Sequence, residues 1–294
     1  MQTKTPSRSM MRLTRRGRLA LVGVGAALAG TAVAVPLALA ALEDDKPATL
    51  VIPEGWRASQ IYEAVDKALA LPPGSARKSV AKAGLKLASA AEGNPEGYLF
   101  PATYSLTDGI TAESLLRHMV ETANQRFDGA PVAAGAQRNA MNVYEAVTVA
   151  SIVQAEAATK SDMGKVARVV FNRLERGMPL QMDSTLNYAM KRNTIHTSID
   201  DTRIESPYNS YQRMGLPPTP IDNPGEDAMR AVTNPPKGDW LYFVTVKPGD
   251  TRFTADYTQH LRNVADFNAY QKAAARSAKP SGSSSPSPVT QPPR

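Results

Sequence analysis

The sequence contains no cysteine, which excludes disulfides, thiolate metal sites and cysteine nucleophiles. Only three histidines are present, and none lies in an HExxH pattern, so the sequence does not indicate a zinc site. The GxSxG and P-loop motifs are also missing, which removes common serine-acyl and phosphoryl-transfer routes. We therefore expect no metal ion and no cofactor. If the protein is an enzyme, carboxylate chemistry is what remains.

An even basic surface is also missing, although the formal net charge is +7. Residues 1–18 carry six Lys or Arg and no acid, and residues 276–294 carry three more. Without these nine, the 34 basic residues fall to 25 against 27 acidic ones, so the body of the chain is slightly acidic. A phosphate-binding groove needs clustered positive charge, and we therefore expect no nucleic-acid partner.

One long hydrophobic run is present, at residues 19–42, which carry no charge. A helix of this length rises about 36 Å at ~1.5 Å per residue, enough to cross a ~30 Å hydrocarbon core. The arginines before this run predict that residues 1–18 lie in the cytoplasm and that the body of the chain lies outside it. The protein is therefore expected to cross the cell membrane once. The alternative is a cleaved signal peptide, because Ala38-Leu39-Ala40 resembles a processing site.

The rest of the chain predicts an α+β fold class. Residues 48–108 read as a small strand–helix module, with a strand at 48–52 and helical patterns at 58–71 and 75–92. Residues 109–275 read as a larger, mostly helical body with a short β-sheet. In that sheet the strand at 240–246 pairs with 252–254. The Pro/Ser-rich residues 276–294 predict a disordered tail.

The helix predicted over residues 142–158 carries a carboxylate on its apolar side. Val149, Ile152, Val153 and Glu156 share one face, whereas Gln154 points elsewhere. A glutamate on a core-facing stripe loses solvation, which raises its pKa toward the range of a proton donor near neutrality. The competing interpretation is a boundary residue that reaches water or forms an ion pair. Periodicity alone leaves both open.

A Pro- and Gly-containing stretch at residues 178–225 is rich in Tyr and Asn. Loops this long inside a folded body are usually functional or disordered. Aromatic faces with amide and hydroxyl groups suit a pyranose ring, which has both apolar and hydroxyl surfaces. A purely structural connection held by tyrosines is the alternative. Asp183 is a candidate second carboxylate, as glycosidases require, at a distance from Glu156 that sequence does not give.

Short motifs occur in one order along residues 50–270 and together closely resemble the endolytic murein transglycosylases, the MltG or YceG-like family. They occupy residues 51–56, 96–104, 150–156, 171–174, 181–185, 206–211, 215–218, 223–225 and 241–244. The resemblance implies that residues 109–275 are the transglycosylase catalytic domain. It also implies that residues 48–108 retain a remnant of a LysM-like module.

The resemblance further implies a membrane-anchored lyase that cuts nascent peptidoglycan at the MurNAc–GlcNAc β-1,4 bond and leaves 1,6-anhydro-MurNAc ends. Glu156 would be the catalytic acid and base. Asp183, Thr185, Tyr208 and Asn209 match family-motif positions and are expected to bind substrate. The partners implied are peptidoglycan glycan strands, penicillin-binding proteins and other wall-synthesis proteins.

Gln154 stands where family members often have an acid, which leaves Glu156 as the only acid of that segment. Two departures from the family pattern keep other functions open. Thr251-Arg252-Phe253 replaces a frequent His-x-Phe. Only residues 43–50 separate the apolar run from the first motif, so most of the LysM-like subdomain is absent. The alternatives are a catalytically silent, membrane-tethered glycan-binding scaffold of the wall-synthesis complex and a hydrolytic muramidase that uses Glu156 with Asp183.

Overall fold

The computed structural model describes residues 48–127, 129–192 and 197–278, and the statements below concern these residues. Residues 49–104 and 108–278 belong to one compact unit, while Ala48 and Ser105–Thr107 belong to a second. The membrane helix predicted at 19–42 lies outside the described residues. Within the described ranges no helix has the length and apolar character needed to cross a membrane.

The described chain is a mostly helical α+β structure, as predicted. In chain order its elements are β1 (Ala48–Val51), α1 (Ala58–Ala68), α2 (Ser75–Ser79), β2 (Thr103–Leu106), α3 (Ala112–Phe127), α4 (Ala130–Arg138), α5 (Val143–Glu156), α6 (Lys160–Glu175), α7 (Asp183–Ala189), α8 (Glu226–Thr233), β3 (Tyr242–Lys247), β4 (Asp250–Thr254) and α9 (Tyr257–Ala278). Short 3₁₀ turns lie at Val80–Lys82, Ser89–Ala91 and Asp201–Arg203. The boundary predicted near residue 108, between the small module and the catalytic domain, stays a prediction.

Helix α5 is the centre of the core. Tyr144 and every residue from 146 to 153 are buried, so the helix is enclosed on all sides rather than along one stripe. It packs against α4, α6, α7 and α8. Because the last residue of α5 is Glu156, the enclosed helix carries that carboxylate to the edge of the core.

The start of α5 is fixed by its own sequence. The backbone N–H of Glu145 donates to Asn142 Oδ1, and the Asn142 N–H donates to Glu145 Oε2, each at 2.9 Å. This reciprocal capping box satisfies two backbone donors that a helix start leaves unpaired. The predicted N-cap is therefore confirmed. The helix ends two residues earlier than predicted, because Ala157 is already extended at φ −76°, ψ 122°.

The strands form two separate two-stranded sheets rather than one. Strand β1 pairs with β2, and β3 pairs with β4 in the antiparallel hairpin predicted from the sequence. Tyr242 lies opposite Thr254. Helix α6 holds the hairpin, since Asn172 Nδ2 donates to the Trp240 carbonyl at 2.8 Å and Arg173 Nε to the Leu241 carbonyl at 2.7 Å.

Three helix predictions differ from the structure. Residues 75–92 form only α2 and two 3₁₀ turns, and Gly84 adopts a left-handed φ of +61°, a conformation that ends helices. Helix α4, which begins with a proline in its first turn, is missed by the sequence analysis. Helix α9 continues to Ala278, so residues 276–278 are helical rather than part of a disordered tail. Residues 279–294 lie outside the described chain.

Candidate active site

Four segments that are distant in sequence meet at a cavity of about 580 Å³. They are the Glu54-Gly55 turn with Arg57, the last turn of α5, helix α7 with Arg192 just after it, and a loop before α8. The residues that line it are Glu54, Gly55, Arg57, Gln154, Ala155, Glu156, Asp183, Ser184, Asn187, Arg192, Ile221 and Asp222. The cavity therefore contains both carboxylates that the sequence singles out.

Glu156 is half-buried at the wall of this cavity. Its Oε1 accepts a hydrogen bond of 3.0 Å from the backbone N–H of Ser184. Burial raises the pKa of the Glu156 carboxyl, and the negative charge of Asp183 raises it further, while the hydrogen bond from the Ser184 backbone N–H acts in the opposite direction. Desolvation is the largest of these effects, so the environment favours the protonated acid.

Asp183 lines the same cavity as Glu156, at the first residue of α7. The Tyr211 hydroxyl donates to Asp183 Oδ1 at 2.6 Å, which fixes the orientation of the carboxylate. Burial raises the pKa of that Tyr211 hydroxyl, and its contact with Asp183 raises it further, so the phenol stays protonated as a donor. The charge of Asp183 is thus held in place beside Glu156.

Tyr208 lines a neighbouring cavity of about 830 Å³, and Arg57 lines both. The Tyr208 and Thr219 hydroxyls share a hydrogen bond of 2.9 Å, and the Tyr208 ring lies 4.9 Å from the Tyr188 ring, centroid to centroid. The guanidinium of Arg57 lies over the Tyr188 ring, 5.2 Å from its centroid. Aromatic faces and a cation are therefore present beside the carboxylate cavity.

Thr185 and Asn209, the other predicted substrate-binding residues, are both 0 % exposed. Thr185 Oγ1 donates to the Met182 carbonyl at 2.7 Å, and Asn209 Nδ2 donates to the Ile204 carbonyl at 2.8 Å. Neither residue lines either of the two cavities. These positions do not fit direct substrate contact, because the protein itself surrounds and bonds both side chains; they fit the support of neighbouring loops.

Glu96 is a buried carboxyl that periodicity does not single out. Its Oε1 accepts from the Ala58 N–H at 2.8 Å and from Asn223 Nδ2 at 3.1 Å, and its Oε2 accepts from the Tyr188 hydroxyl at 3.1 Å. Burial raises the pKa of Glu96 to about 7, although these hydrogen bonds and the charge of Arg57 oppose the shift. Glu96 therefore joins α1, α7 and the loop before α8.

Asn223 connects the same motifs through the backbone. Its Nδ2 donates to the Trp56 carbonyl at 2.8 Å, and its Oδ1 accepts from the Leu99 N–H at 2.7 Å. The chain also packs closely at Gly97, where φ is +87° and a β-carbon would lie 2.6 Å from the Pro220 side chain. A glycine is required there for both reasons. Motifs that are far apart in sequence are thus joined by hydrogen bonds and close packing next to the cavity.

Gln154 and Asp222 also line the cavity and are missed by the sequence analysis. Gln154 Oε1 accepts from the Gly225 N–H at 3.1 Å, although the helical face argument directs this side chain elsewhere. The expectation from helix periodicity holds for a helix with a single buried face, whereas α5 is buried on all sides and ends at Glu156. Asp222 is 4 % exposed. In the sequence it is notable only because it directly precedes the motif at residues 223–225.

Described residues 48–127, 129–192 and 197–278 contain no cluster of three or more His, Asp or Glu side chains arranged to hold a metal. The described residues form an α+β fold with a cavity whose wall carries a carboxyl of raised pKa, Glu156. The family model of the YceG-like family matches residues 28–266, so the chain belongs to that family. This confirms the resemblance drawn from the motifs.

Individual relatives agree with this assignment. An endolytic murein transglycosylase of Bacillus subtilis is 37 % identical over 166 residues, which cover 56 % of this chain and 46 % of that protein. One from Streptococcus pneumoniae is 38 % identical over 177 residues, covering 58 % and 32 %. The crystal structure of a yceG-like protein from Listeria monocytogenes aligns with a TM-score of 0.64 at 30 % identity, over 74 % of this chain and 75 % of that one. The matches span less than half the length of these curated relatives.

Proposed function

We propose that the protein is an endolytic lytic transglycosylase that cleaves the MurNAc–GlcNAc β-1,4 bond of nascent peptidoglycan and leaves 1,6-anhydro-MurNAc ends. The observation that carries the proposal is Glu156, a carboxyl of raised pKa on the wall of a cavity large enough for sugar rings. The relatives named endolytic murein transglycosylase support the same reaction.

In the first step Glu156 acts as a general acid. Because Oε1 accepts the Ser184 N–H, the acid proton resides on Oε2. It is transferred to the glycosidic oxygen as the bond from that oxygen to C1 of MurNAc breaks. Positive charge then develops at C1, and the fixed carboxylate of Asp183 stabilises it electrostatically.

In the second step the same residue acts as a general base. The Glu156 carboxylate takes the proton from the C6 hydroxyl as O6 forms its bond to C1. This closes the 1,6-anhydro ring and returns the proton to Glu156. No water is consumed and no second carboxylate is needed as a base, which fits a site where the neighbouring carboxylate of Asp183 is held in place by Tyr211.

We also propose glycan contacts, a membrane anchor and partner proteins. We assign glycan contact to Tyr208 and Tyr188 in the neighbouring cavity, whose aromatic faces suit sugar rings. Residues 19–42 supply a membrane anchor with residues 1–18 in the cytoplasm, so that the cavity faces newly made glycan outside the cell. Penicillin-binding proteins and other wall-synthesis proteins are the proposed partners.

The experiment compares Glu156→Gln with Glu145→Gln in the same helix. Glu145 lies in the capping box at the opposite end of α5, and Gln retains the oxygen that the box needs. Each protein is incubated with uncrosslinked glycan, and anhydro ends are counted by mass spectrometry. We expect anhydro products from wild type and Glu145→Gln and none from Glu156→Gln. Normal turnover by Glu156→Gln would refute the assignment.

Labelled water separates the transglycosylase from a muramidase. Digestion in H₂¹⁸O should leave the product ends unlabelled, because O6 rather than water attacks C1. Incorporation of ¹⁸O at a reducing end would instead identify hydrolysis with Asp183 as the second carboxylate. Glycan binding without any cleavage product would identify a silent scaffold.

A further inference from the structure

Asp222 is a buried carboxyl that the proposed mechanism does not use, in the wall of the Glu156 cavity. It is 4 % exposed, and its Oδ1 is buried without a hydrogen-bond partner among the described residues. Those residues also place no cation in an ion pair with it. A charged carboxylate in this position is disfavoured, because the side chain is almost fully enclosed by protein and no described cation forms an ion pair with it.

The protonation state follows from the surroundings. Burial raises the pKa of Asp222 well above its ordinary value, and the charge of Glu96 raises it further, while Arg57 acts in the opposite direction. Together with the burial of the side chain and its unpartnered Oδ1, these surroundings favour the neutral acid with one O–H. If that proton were on Oδ1, an unpaired donor would be buried, whereas an unpaired carbonyl oxygen is tolerated more often. The proton therefore lies on Oδ2.

Oδ2 lies beside a position where the chain has no side chain. A β-carbon on Gly55 would stand 4.0 Å from Asp222 Oδ2 and 3.5 Å from Gln154 Cγ. Gly55 also has a φ of +77°, which other residues rarely adopt. Gly55 and Asp222 both line the Glu156 cavity, so Oδ2 lies close to the Gly55 backbone at the cavity wall.

We propose that Asp222 is a substrate-binding residue that donates a hydrogen bond from Oδ2 to an uncharged oxygen of the glycan, a hydroxyl or an N-acetyl carbonyl, next to Glu156. The proposal rests on the proposed function for the identity of the ligand. A neutral acid can donate to such an acceptor, as an ionised carboxylate cannot. It also adds no charge beside the acid that must release and recover a proton.

Equilibrium binding of uncrosslinked glycan strands tests this in the full chain carrying Glu156→Gln, which prevents cleavage during the measurement. Adding Asp222→Ala should weaken binding about tenfold, the worth of one neutral hydrogen bond. Adding Asp222→Asn should restore most of that affinity, because the amide is neutral and donates from a similar position. Asp266→Asn, an exposed residue of α9 outside the cavity, is the matched control and should change nothing. Melting curves verify that each variant is folded.

A pH series gives a readout that a structural role would not move. Binding should weaken as pH rises through the pKa of Asp222 and should stay level over the same range in Asp222→Asn. Other ionisable groups that face the cavity or Asp222 remain in both proteins and cancel in this comparison: Glu54, Arg57, Glu96, Asp183 and Arg192. Equal pH profiles would overturn the proposal, as would equal affinities of the Asp222→Ala and parent proteins or an Asn variant as weak as Ala.

The outcome is separable from that of the proposed reaction. If wild type produced no anhydro ends while glycan binding depended on Asp222 as expected, the transglycosylase assignment would fail and the binding role would stand. If anhydro ends formed and binding ignored Asp222, the reverse would hold. A parent protein without any affinity for glycan would overturn both.

Discussion

Glu96 and Glu156 are two carboxyls whose pKa values are raised chiefly by burial, yet their surroundings differ. Three protein donors converge on Glu96, from α1, α7 and the loop before α8. Glu156 accepts one bond from a backbone N–H and opens onto a cavity. A raised pKa alone thus does not identify a catalytic acid. The hydrogen-bonding capacity that the protein leaves unused distinguishes Glu156, the proposed acid, from Glu96, whose oxygens are occupied by protein donors.

The largest expected effect is on turnover. Glu156→Gln should lower the rate of anhydro-end formation by at least about 10²-fold, the usual contribution of a general acid and base. Its melting temperature should stay close to that of wild type, because the amide oxygen can still accept the Ser184 N–H. Rates from mass spectrometry and melting by circular dichroism check both halves. If Glu156→Gln were strongly destabilised, Glu156 would have a structural role like that of Glu96.

Glu96→Ala should show the opposite pattern. It leaves three buried donors without their acceptor, so we expect the free energy of unfolding to fall by about 3 kcal/mol. Urea unfolding measures this. Glu96→Gln is the matched variant and should lose less, because one oxygen remains. If Glu96→Ala unfolded like wild type but lost turnover, Glu96 would belong to the chemistry.

The pH dependence of stability gives a third distinction. The folded-state pKa of Glu96 is raised to about 7 from the 4.5 of the free side chain. Its contribution to stability is therefore fully present below pH 4.5 and is lost as pH rises through 7, by at most about 3 kcal/mol. The melting temperature of wild type should fall across this range more than that of Glu96→Gln. Identical slopes would show that Glu96 titrates normally.

The smallest expected effect concerns Asp183 and the acidity of Glu156. The charge of Asp183 raises the pKa of Glu156, so Asp183→Asn should lower that pKa. Catalysis requires the protonated acid in the first step. The alkaline limb of the kcat/KM profile should therefore shift to lower pH in the variant. A Tyr211→Phe variant, which frees Asp183 without removing its charge, should keep the limb near its wild-type position.

Local features of the fold are predictable because local interactions determine them. The start of α5 follows from the Asn142 and Glu145 capping box, and the β3–β4 hairpin follows from alternating apolar residues and a short turn. Residues 75–92 are predicted wrongly as a helix, since an Ala-rich composition does not reveal the left-handed Gly84. Helix α4 escapes prediction because its pattern is short and weakly amphipathic.

The candidate site is predictable only in part. Glu156 and Asp183 stand in recognisable motifs, and the structure brings both to one cavity. Thr185 and Asn209 stand in equally recognisable motifs but are enclosed in the protein. A motif thus marks both residues that line the cavity and residues that are enclosed behind it, and sequence does not separate the two groups.

The sequence by itself determined the family, most of the helical segments, the position of the carboxylate at residue 156 and the contrast between a basic start and a slightly acidic body. Only the tertiary structure decided which polar residues face the cavity. Contacts such as Asn223 with Trp56 and Glu96 with Ala58 join segments far apart along the chain. Burial, and with it the pKa of Glu96, Glu156 and Asp222, is a property of that packing, because it depends on what surrounds a side chain in space rather than in sequence.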